Sequence, residues 1–332
     1  MKRNDSLVQR CYFLTFITED IDQVKHIYIV AGSLDAILIL PTIVLNILLI
    51  ISLYRSPQLN KPCTKLLYSL AISDVLVGMV IEPAYLTKKI AELQHSFGMY
   101  CRSGMITYVA GGALATITFF NVSAIAVDRY LVVHSGTKYK TIVTNTRVTW
   151  VIIAIWASSF VLHANQFIFP RYLYFNISAV VSIFGVAMVS IMYIKCVITL
   201  RKQKIRIDTL FRNSSRQRVI NVERYKRSTC TMVYVFLILN LCYLPFLCTA
   251  VSAGILGESA AMWGAESLSV VLIYANSFLN PIMLFWRMKE IGHAVALTIT
   301  TAYLARSEPI RKRSRCPSQN INHNNELVVE NL

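Results

Sequence analysis

Residues 27–54 read IYIVAGSLDAILILPTIVLNILLIISLY, and Asp35 is the only charged side chain in this run of 28 residues. About 20 mostly apolar residues in a helix cross the roughly 30 Å of hydrocarbon in a bilayer, so the run predicts a transmembrane helix. Six further windows have the same character, at residues 66–86, 105–133, 148–169, 177–200, 229–253 and 265–285. The strict alternation of apolar and polar residues that is typical of barrel strands is absent. The sequence therefore predicts an all-α membrane protein, a bundle of seven transmembrane helices.

Composition and charge agree with this class. Of the 332 residues, 55% are apolar and 15% are charged, whereas soluble domains carry about 25% charged residues. A soluble enzyme and a disordered chain are thereby excluded. Lysine and arginine outnumber the acids by 33 to 17, and 25 of the 33 lie on one predicted side, in residues 55–65, 129–147, 195–227 and 287–332. Because cytoplasmic segments carry the positive excess, we expect a plasma-membrane protein with its N-terminus outside, and no nucleic acid partner.

The topology divides the chain into four segments. They are an extracellular tail without a cleaved signal peptide, the transmembrane domain, an amphipathic helix on the membrane surface and a cytoplasmic tail, at residues 1–26, 27–287, 288–305 and 306–332. The basic run in the last segment can contact anionic membrane lipids. Asn4 and Asn176 begin Asn-x-Ser motifs on the outer side and are predicted glycosylation sites.

Polar residues within the spans carry a family resemblance. Such residues are costly in a membrane and usually functional. The quoted motifs are Leu70-Ala71-Ile72-Ser73-Asp74, Asp128-Arg129-Tyr130, Cys242-Tyr243-Leu244-Pro245 and Asn276-Ser277-Phe278-Leu279-Asn280-Pro281, with Asn46 and Trp150. The ordered set resembles the rhodopsin-like (class A) G-protein-coupled receptors over residues 27–305. The resemblance implies a non-enzymatic receptor that binds an extracellular ligand and activates a heterotrimeric G protein.

Asp74 lies near the predicted middle of the second span. An unpaired carboxylate there costs about 3 kcal/mol or more, so it needs a proton or a partner. One interpretation is a protonated, hydrogen-bonded structural residue. The resemblance implies another, a sodium ion that stabilises the inactive state, held by Asp74 with Thr118, Asn276, Ser277 and Asn280. Hard cations prefer such oxygen ligands. No other cofactor is expected.

The inner end of the third span carries the implied switch. Asp128 can pair with Arg129 at rest, and Tyr193 is expected to meet Arg129 after the sixth span moves. Pro245 removes a backbone hydrogen bond and kinks that span. In the resembled family the kink opens a cavity in which a Gα helix contacts the arginine, and Tyr130, Asn280 and Pro281 complete the switch motifs. The alternative for the Asp-Arg-Tyr triplet is a solvated cytoplasmic face.

Several switch positions depart from the family pattern. Tyr243 replaces the usual tryptophan before the sixth-span proline, Leu239 replaces a phenylalanine one turn earlier, and Leu284 replaces the tyrosine that closes the seventh-span motif. Basal activity is therefore open, and a receptor that binds without signalling is an alternative. A transporter is a further alternative, although it should show more midplane charges than Asp74.

Only Cys11 and Cys101, of eight cysteines, lie on the predicted outer side. The resembled family usually bonds the third span to the second extracellular loop, but that loop has no cysteine here. A Cys11–Cys101 disulfide and two free thiols both remain open. The short loop, together with Gly185 in place of a fifth-span proline, is similar to the melanocortin branch and its lipid and nucleoside relatives.

The ligand is constrained by a few positions. Tyr274 stands where opsins carry the retinal lysine, and Gly111 stands where amine receptors keep an aspartate, so both pocket types are disfavoured. Asp35 and Glu82 lie in outer halves of adjacent spans. They are either interfacial residues that reach water or pocket residues that select a cationic ligand such as a basic peptide. The predicted ligand-binding residues are Asp35, Glu82, Gly111, Ala115, Tyr243 and Tyr274.

Overall fold

A computed structural model describes residues 8–55, 62–135, 138–168, 237–253, 259–287 and 291–300, with short pieces between 180 and 202 and residues 234, 255 and 257. In this part of the chain, five helices are long and apolar enough to cross a membrane. They match the first four predicted spans and the seventh. A shorter apolar helix, Leu237–Ala253, falls in the predicted sixth span, and much of the fifth lies outside the described residues.

The described elements are, in chain order, β1 (Val8–Cys11), β2 (Leu14–Ile17), α1 (Thr18–Gln23), α2 (Lys25–Arg55), α3 (Pro62–Leu93), α4 (Phe97–Val132), α5 (Tyr139–Ile142), α6 (Asn145–Ala164), α7 (Leu237–Ala253), α8 (Ala260–Arg287) and α9 (Ile291–Thr300). Helix α2 packs against α3 and α8, and α4 packs against α3 and α6. The Asn46 side chain donates to the Ser277 carbonyl at 3.0 Å and so fastens α2 to α8.

Apolar side chains form the core of the bundle and also much of its outer surface. Large exposed residues such as Ile37 and Leu40 suit contact with lipid. Trp150, which carried part of the resemblance, belongs to this outer surface with 65% of its area exposed. Trp156, two turns further along α6, donates instead to Ser69 Oγ at 3.0 Å. The tryptophan that packs within the bundle is therefore Trp156.

Helices α3 and α4 each contain a π-helical turn, at Val77–Ile81 and Ile106–Gly111. The two turns contact each other. Such a turn holds an extra residue, changes the direction of the side chains that follow, and often occurs at a functional site. Helix α3 also continues to Leu93 and places Lys88 and Lys89 inside the bundle. Helix α3 thus extends beyond Leu86, the predicted end of the second span, and both lysines are buried in this extension.

The first described residues form a hairpin rather than a plain tail. Strands β1 and β2 are antiparallel, with Val8 opposite Ile17 and Cys11 opposite Leu14. The hairpin buries Leu14 and Phe16 against the first turns of α4, where the Tyr100 hydroxyl donates to the Thr15 carbonyl at 3.0 Å. We call this end of the bundle the hairpin end. The sequence analysis did not predict the hairpin.

Candidate functional site

A cavity of about 160 Å³ lies between the helices toward the hairpin end. Its walls come from α2, α3, α4, α6, α7 and α8. Four of the six predicted ligand-binding residues line it: Gly111, Ala115, Tyr243 and Tyr274. A side chain at Gly111 would contact Ile81 at 2.9 Å, so this glycine allows a close approach of α3 and α4 and also leaves room in the cavity.

Asp35 and Glu82, the other two predicted ligand-binding residues, do not line this cavity. Both are fully buried. They lie close enough to interact electrostatically with each other and with Tyr274, which does face the cavity. Neither Asp35 oxygen has a hydrogen-bond partner among the described residues. The two acids are thus packed between the helices. The π-helical turn at Val77–Ile81 comes directly before Glu82 and changes the direction of the side chains that follow it.

The charged residues of the cavity are ones that the sequence analysis did not select. Lys88, Lys89 and Glu92 reach it from α3, and Glu266 reaches it from α8. Lys89 Nζ donates to Glu92 Oε2 and to Ser267 Oγ, both at 2.7 Å. In the sequence, the three residues of α3 form a charged cluster just beyond Leu86, the predicted end of the second span. This cluster was the signal that could have identified them.

A second charged chain crosses the same end of the cavity. Lys88 Nζ donates to the Tyr108 hydroxyl at 3.3 Å, and that hydroxyl donates to Glu266 Oε1 at 2.7 Å. Lys88 Nζ also lies 3.7 Å from Glu92 Oε1 and 4.5 Å from the centre of the Tyr108 ring. The polar end of the cavity therefore presents cations and anions side by side.

Aromatic side chains also line the apolar part of the cavity. Phe119, Phe120 and Phe246 line it with Tyr243. The Tyr243 hydroxyl donates to the Ala115 carbonyl at 3.0 Å, and its ring centre lies 6.4 Å from that of Phe119. The residue that replaces the family tryptophan thus joins α7 to α4 directly beneath the cavity.

His163 supplies a polar group on the α6 side. Its Nε2 is 2.9 Å from Thr116 Oγ1, and its Nδ1 is 3.3 Å from Gln166 Nε2. The ring lies against Gly112, where an added Cβ would come within 2.5 Å of His163 Cε1. Gly112 is therefore needed for the space that the imidazole occupies.

The hairpin covers the cavity near its charged end. Cys11 and Cys101 form a disulfide that joins β1 to α4. Phe13, in the turn of the hairpin, has its ring centre 6.3 Å from that of Tyr108 and 5.9 Å from that of Phe167. The hairpin is therefore fastened to α4 and packs against Tyr108, a residue of the cavity lining.

Deeper in the bundle, Asp74 collects polar groups from neighbouring helices. Thr118 Oγ1 donates to Asp74 Oδ1 at 3.3 Å, and Asn280 Nδ2 donates to Asp74 Oδ2 at 2.9 Å. Ser277 also lies within hydrogen-bonding reach of the carboxylate. The predicted fifth member, Asn276, is fully buried, and its amide atoms have no hydrogen-bond partner among the described residues.

The opposite end of α4 carries the Asp-Arg-Tyr triplet. Arg129 Nε donates to Asp128 Oδ2 at 3.1 Å, and the Tyr139 hydroxyl donates to Asp128 Oδ1 at 2.6 Å. Burial and the hydrogen bond to Asp128 raise the pKa of Tyr139, so its hydroxyl remains a donor at neutral pH. Tyr130 stacks on His134 with ring centres 5.2 Å apart.

The remaining predicted switch residues lie in α7 and α8, apart from Tyr193. Pro245 is within α7 and Pro281 within α8. Leu239 and Leu284 are buried together in the apolar core that surrounds the inner half of α4. Tyr193, Asn4, Asn176 and the tail at 306–332 lie outside the described residues.

A cavity at one end of a bundle of apolar helices, with an Asp-Arg pair at the other, is the architecture of a transmembrane receptor. The family model described as "7 transmembrane receptor (rhodopsin family)" matches residues 45–176. The chain is 29% identical to mouse trace amine-associated receptor 1 over 154 residues, 44% of this chain and 46% of that receptor.

Two further relatives match over longer stretches. Human adenosine receptor A2b is 22% identical over 301 residues, 79% of this chain and 87% of that receptor. Human histamine H2 receptor is 25% identical over 271 residues, 75% of this chain and 73% of that receptor. The chain is thus similar to the rhodopsin-like (class A) G-protein-coupled receptors, which have a seven-helix fold. Receptors of this kind are multi-pass plasma-membrane proteins and not enzymes, in agreement with the expectation from the sequence.

Proposed function

We propose that this receptor binds a small extracellular ligand in the cavity at the hairpin end and activates a heterotrimeric G protein at the Arg129 end. The observation that carries this proposal is that one helix, α4, lines the cavity with Gly111 and Ala115 and ends in the Asp128–Arg129 pair. The hairpin end then faces outward, in agreement with the distribution of lysine and arginine.

The size and lining of the cavity favour a small molecule over a peptide. An apolar cavity of about 150 Å³ holds a benzene molecule, and the cavity here measures about 160 Å³. The relatives are named for a trace amine, adenosine and histamine, all small molecules. Because Asp35 and Glu82 do not line the cavity, a cationic group on the ligand would bind Glu266, and aromatic parts would contact Phe119 and Tyr243.

The chain offers a route from the cavity to the switch. Tyr243 lines the cavity and bonds the α4 backbone at Ala115. A ligand that displaces the Tyr243 ring would change the contact between α7 and α4, and Pro245 lies only two residues further along α7. Movement of α7 would then free Arg129 from Asp128 for contact with Gα. A ligand shifts this equilibrium only through its different affinities for the two states.

Sodium is proposed as an allosteric ligand of the Asp74 cluster. Asp74, Thr118 and Ser277 provide oxygen ligands, and the buried Asn276 amide supplies another within the same region of α8. These donors fit a hard monovalent cation. Bound sodium would supply the positive charge that a buried carboxylate requires and would stabilise the resting arrangement of the helices.

Helix α9 is proposed to lie on the inner leaflet. Ile291, Ala294 and Val295 are buried against the bundle, whereas Leu297 and Ile299 are exposed apolar residues. Exposed apolar side chains on a short helix at the end of a transmembrane bundle suit contact with acyl chains. Membrane lipids are thus expected partners of this segment.

A ligand screen with a cavity-filling variant tests the proposed function. Agonists are selected on cells expressing the wild type by G-protein activation and then titrated on Ala115→Leu. The added side chain occupies cavity volume, so agonist potency should fall at least about tenfold, which corresponds to about 1.4 kcal/mol. Val161→Ala, on the lipid-facing side of α6, is the control for expression. Equal potency on Ala115→Leu and wild type would reject this cavity as the ligand site.

The replaced switch residues favour a second candidate, a receptor that binds its ligand without activating a G protein. Leu284 stands where the family has a tyrosine and is buried in the apolar core, so it cannot donate a hydrogen bond in either state. A ligand that binds the purified receptor but elicits no nucleotide exchange on any Gα subtype would support this second candidate.

A further inference from the structure

The turn of the N-terminal hairpin consists of two aromatic residues. Strands β1 and β2 are joined by Tyr12 and Phe13 alone, since Cys11 pairs directly with Leu14. Tyr12 has a φ of 54°, in the left-handed region that glycine, asparagine or aspartate usually occupies in hairpin turns of this length. A large side chain in this conformation is uncommon, and such outliers often have a functional reason. What the Tyr12 side chain contacts is therefore of interest.

The two residues of the turn differ in their surroundings. Phe13 is half-buried, and its ring lies against those of Tyr108 and Phe167. Tyr12 keeps 79% of its area exposed, although its ring centre lies 5.9 Å from that of Phe167. Packing against the bundle thus accounts for Phe13 and leaves most of the Tyr12 side chain facing outward.

The aromatic partner of Tyr12 belongs to the lipid-facing side of α6. Exposed apolar residues follow this side at intervals of three or four, namely Trp150, Ile153, Ala157, Val161, Ala164 and Ile168. Phe167 lies beside the last of them, in the 3₁₀ turn that continues α6, and is itself 53% exposed. The Tyr12 ring therefore extends a continuous apolar surface that contacts lipid.

The geometry of α6 gives the depth of this contact. The 20 residues from Val148 to Phe167 rise about 30 Å, which is the thickness of the hydrocarbon layer of a bilayer. Arg147, exposed and charged, marks the boundary of that layer at the end remote from the hairpin. Phe167 and Ile168 then lie at the other boundary, between acyl chains and headgroups. Tyrosine is enriched at this level, because its ring is apolar and its hydroxyl is polar.

We propose that the turn of the hairpin docks on the lipid bilayer, with the Tyr12 side chain inserted at the headgroup boundary of the leaflet at the hairpin end. The ring lies against acyl chains beside Phe167 and Ile168, and the hydroxyl stays among the headgroups. Arg10, exposed two residues earlier in β1, supplies a cation for lipid phosphate. The bilayer then fixes the hairpin at its turn, and the disulfide fixes it to α4. This surface lies outside the cavity, so the inference goes beyond the proposed function.

Lipid photolabelling of the wild-type receptor tests this proposal. Single full-length receptors are reconstituted in phosphatidylcholine nanodiscs that contain a trace of a lipid with a diazirine either next to the headgroup or at the end of an acyl chain. Labelled residues are located by mass spectrometry. The headgroup-proximal probe should label Tyr12 and Ile168, whereas the chain-terminal probe should label Ala157, near the middle of α6. Gln94, exposed between α3 and α4 at the hairpin end, is the control and should be labelled by neither probe.

A fluorescent side chain measures the depth of residue 12 independently. A fluorescent naphthyl amino acid replaces Tyr12, Gln94 or the lipid-facing Val161 in turn. Iodide in the water should quench the fluorophore at Tyr12 at most about half as strongly as at Gln94, because a side chain at the boundary is withdrawn from water. A lipid with a nitroxide on its headgroup should quench it more strongly than at either control position. A variant that does not fold is recognised by loss of its melting transition, and the labelling of the wild type then decides.

Two results would overturn the proposal. Labelling of Ile168 without Tyr12, together with iodide quenching at Tyr12 as strong as at Gln94, would place the turn in water. Protection of residue 12 from iodide without lipid labelling would show that another part of the chain covers it, since each nanodisc holds a single receptor. Neither measurement uses a ligand or a G protein, so a receptor that fails to activate any Gα subtype can still show Tyr12 in the bilayer.

Discussion

Tyr139 donates a 2.6 Å hydrogen bond to the same Asp128 carboxylate that holds Arg129. Tyr139 belongs to the short helix α5, so the segment after α4 is bonded to the resting Asp-Arg pair. One carboxylate oxygen faces Tyr139 and the other faces Arg129. The hydroxyl thus fixes the orientation of the carboxylate that keeps the arginine in place.

Replacing Tyr139 by phenylalanine should raise basal activity. The change removes a hydrogen bond to a charged group, worth about 1 kcal/mol or more, and so weakens the resting state. A shift of about 1 kcal/mol changes a two-state population about fivefold. The measurement is ligand-independent nucleotide exchange on Gα at matched surface expression.

Tyr54→Phe is the control for this variant, because Tyr54 is an exposed tyrosine at the same end of the bundle. It should leave basal exchange unchanged. Basal exchange that is the same or lower in Tyr139→Phe would show that the hydrogen bond does not stabilise the resting state. The raised pKa of Tyr139 keeps its hydroxyl protonated through neutral pH, so the effect should not change between pH 6 and 8.

A methyl group at Gly112 should destabilise the receptor. An added Cβ would lie 2.5 Å from His163 Cε1, and the ring cannot move freely because Thr116 and Gln166 contact both of its nitrogens. Overpacking of this kind costs about 1–3 kcal/mol, which exceeds the helix propensity of about 1 kcal/mol gained by replacing glycine with alanine. We expect a lower Tm for Gly112→Ala in the purified receptor.

Gly98→Ala is the matched control, since nothing lies within 4 Å of a Cβ added there. It should keep or raise Tm through helix propensity alone. If Gly112→Ala were as stable as Gly98→Ala, the α4–α6 contact would be looser than described.

The sequence predicted the helices well because apolar length is a local property. The Asp74 cluster was implied by the family resemblance, and in the structure Thr118, Ser277 and Asn280 contact the Asp74 carboxylate. The cavity wall depends instead on which side of a helix faces inward. The π-turn at Val77–Ile81 changes which side of α3 faces inward just before Glu82. A search for apolar runs ends at charged residues, so it places Lys88 and Lys89 beyond the span although the helix continues. Their partner Glu266 lies on α8, remote in the sequence, so no local pattern joins them.

The Cys11–Cys101 disulfide should contribute to the stability of the hairpin end. It closes a loop of 90 residues, and a disulfide across a loop of this length typically contributes about 2–4 kcal/mol. Cys11→Ser should therefore lower Tm clearly, and Cys101→Ser and the double variant should match it. Cys248→Ser, at an exposed free cysteine, is the control. If the single variants behave as Cys248→Ser does, the two residues are free thiols in the native receptor.

Sodium should stabilise the receptor through Asp74. A ligand that binds the folded state raises Tm, so replacing potassium chloride with sodium chloride at constant ionic strength should raise Tm of the wild type. Asp74→Asn removes the charged ligand and should abolish the difference. Asp35→Asn, which changes another fully buried aspartate, should retain it. A sodium effect of equal size in Asp74→Asn and wild type would identify the cluster as a hydrogen-bonded core without an ion.

Nucleotide exchange by Arg129→Ala tests the central claim most directly, because Arg129 is the residue through which α4 is proposed to activate Gα. The wild-type receptor, reconstituted in lipid with each Gα subtype, should accelerate exchange of GDP for GTP on at least one of them. Arg129→Ala, at equal receptor concentration and with ligand-binding affinity in the cavity preserved, should reduce exchange to the rate without receptor. Exchange that proceeds equally with Arg129→Ala and wild type would contradict the account.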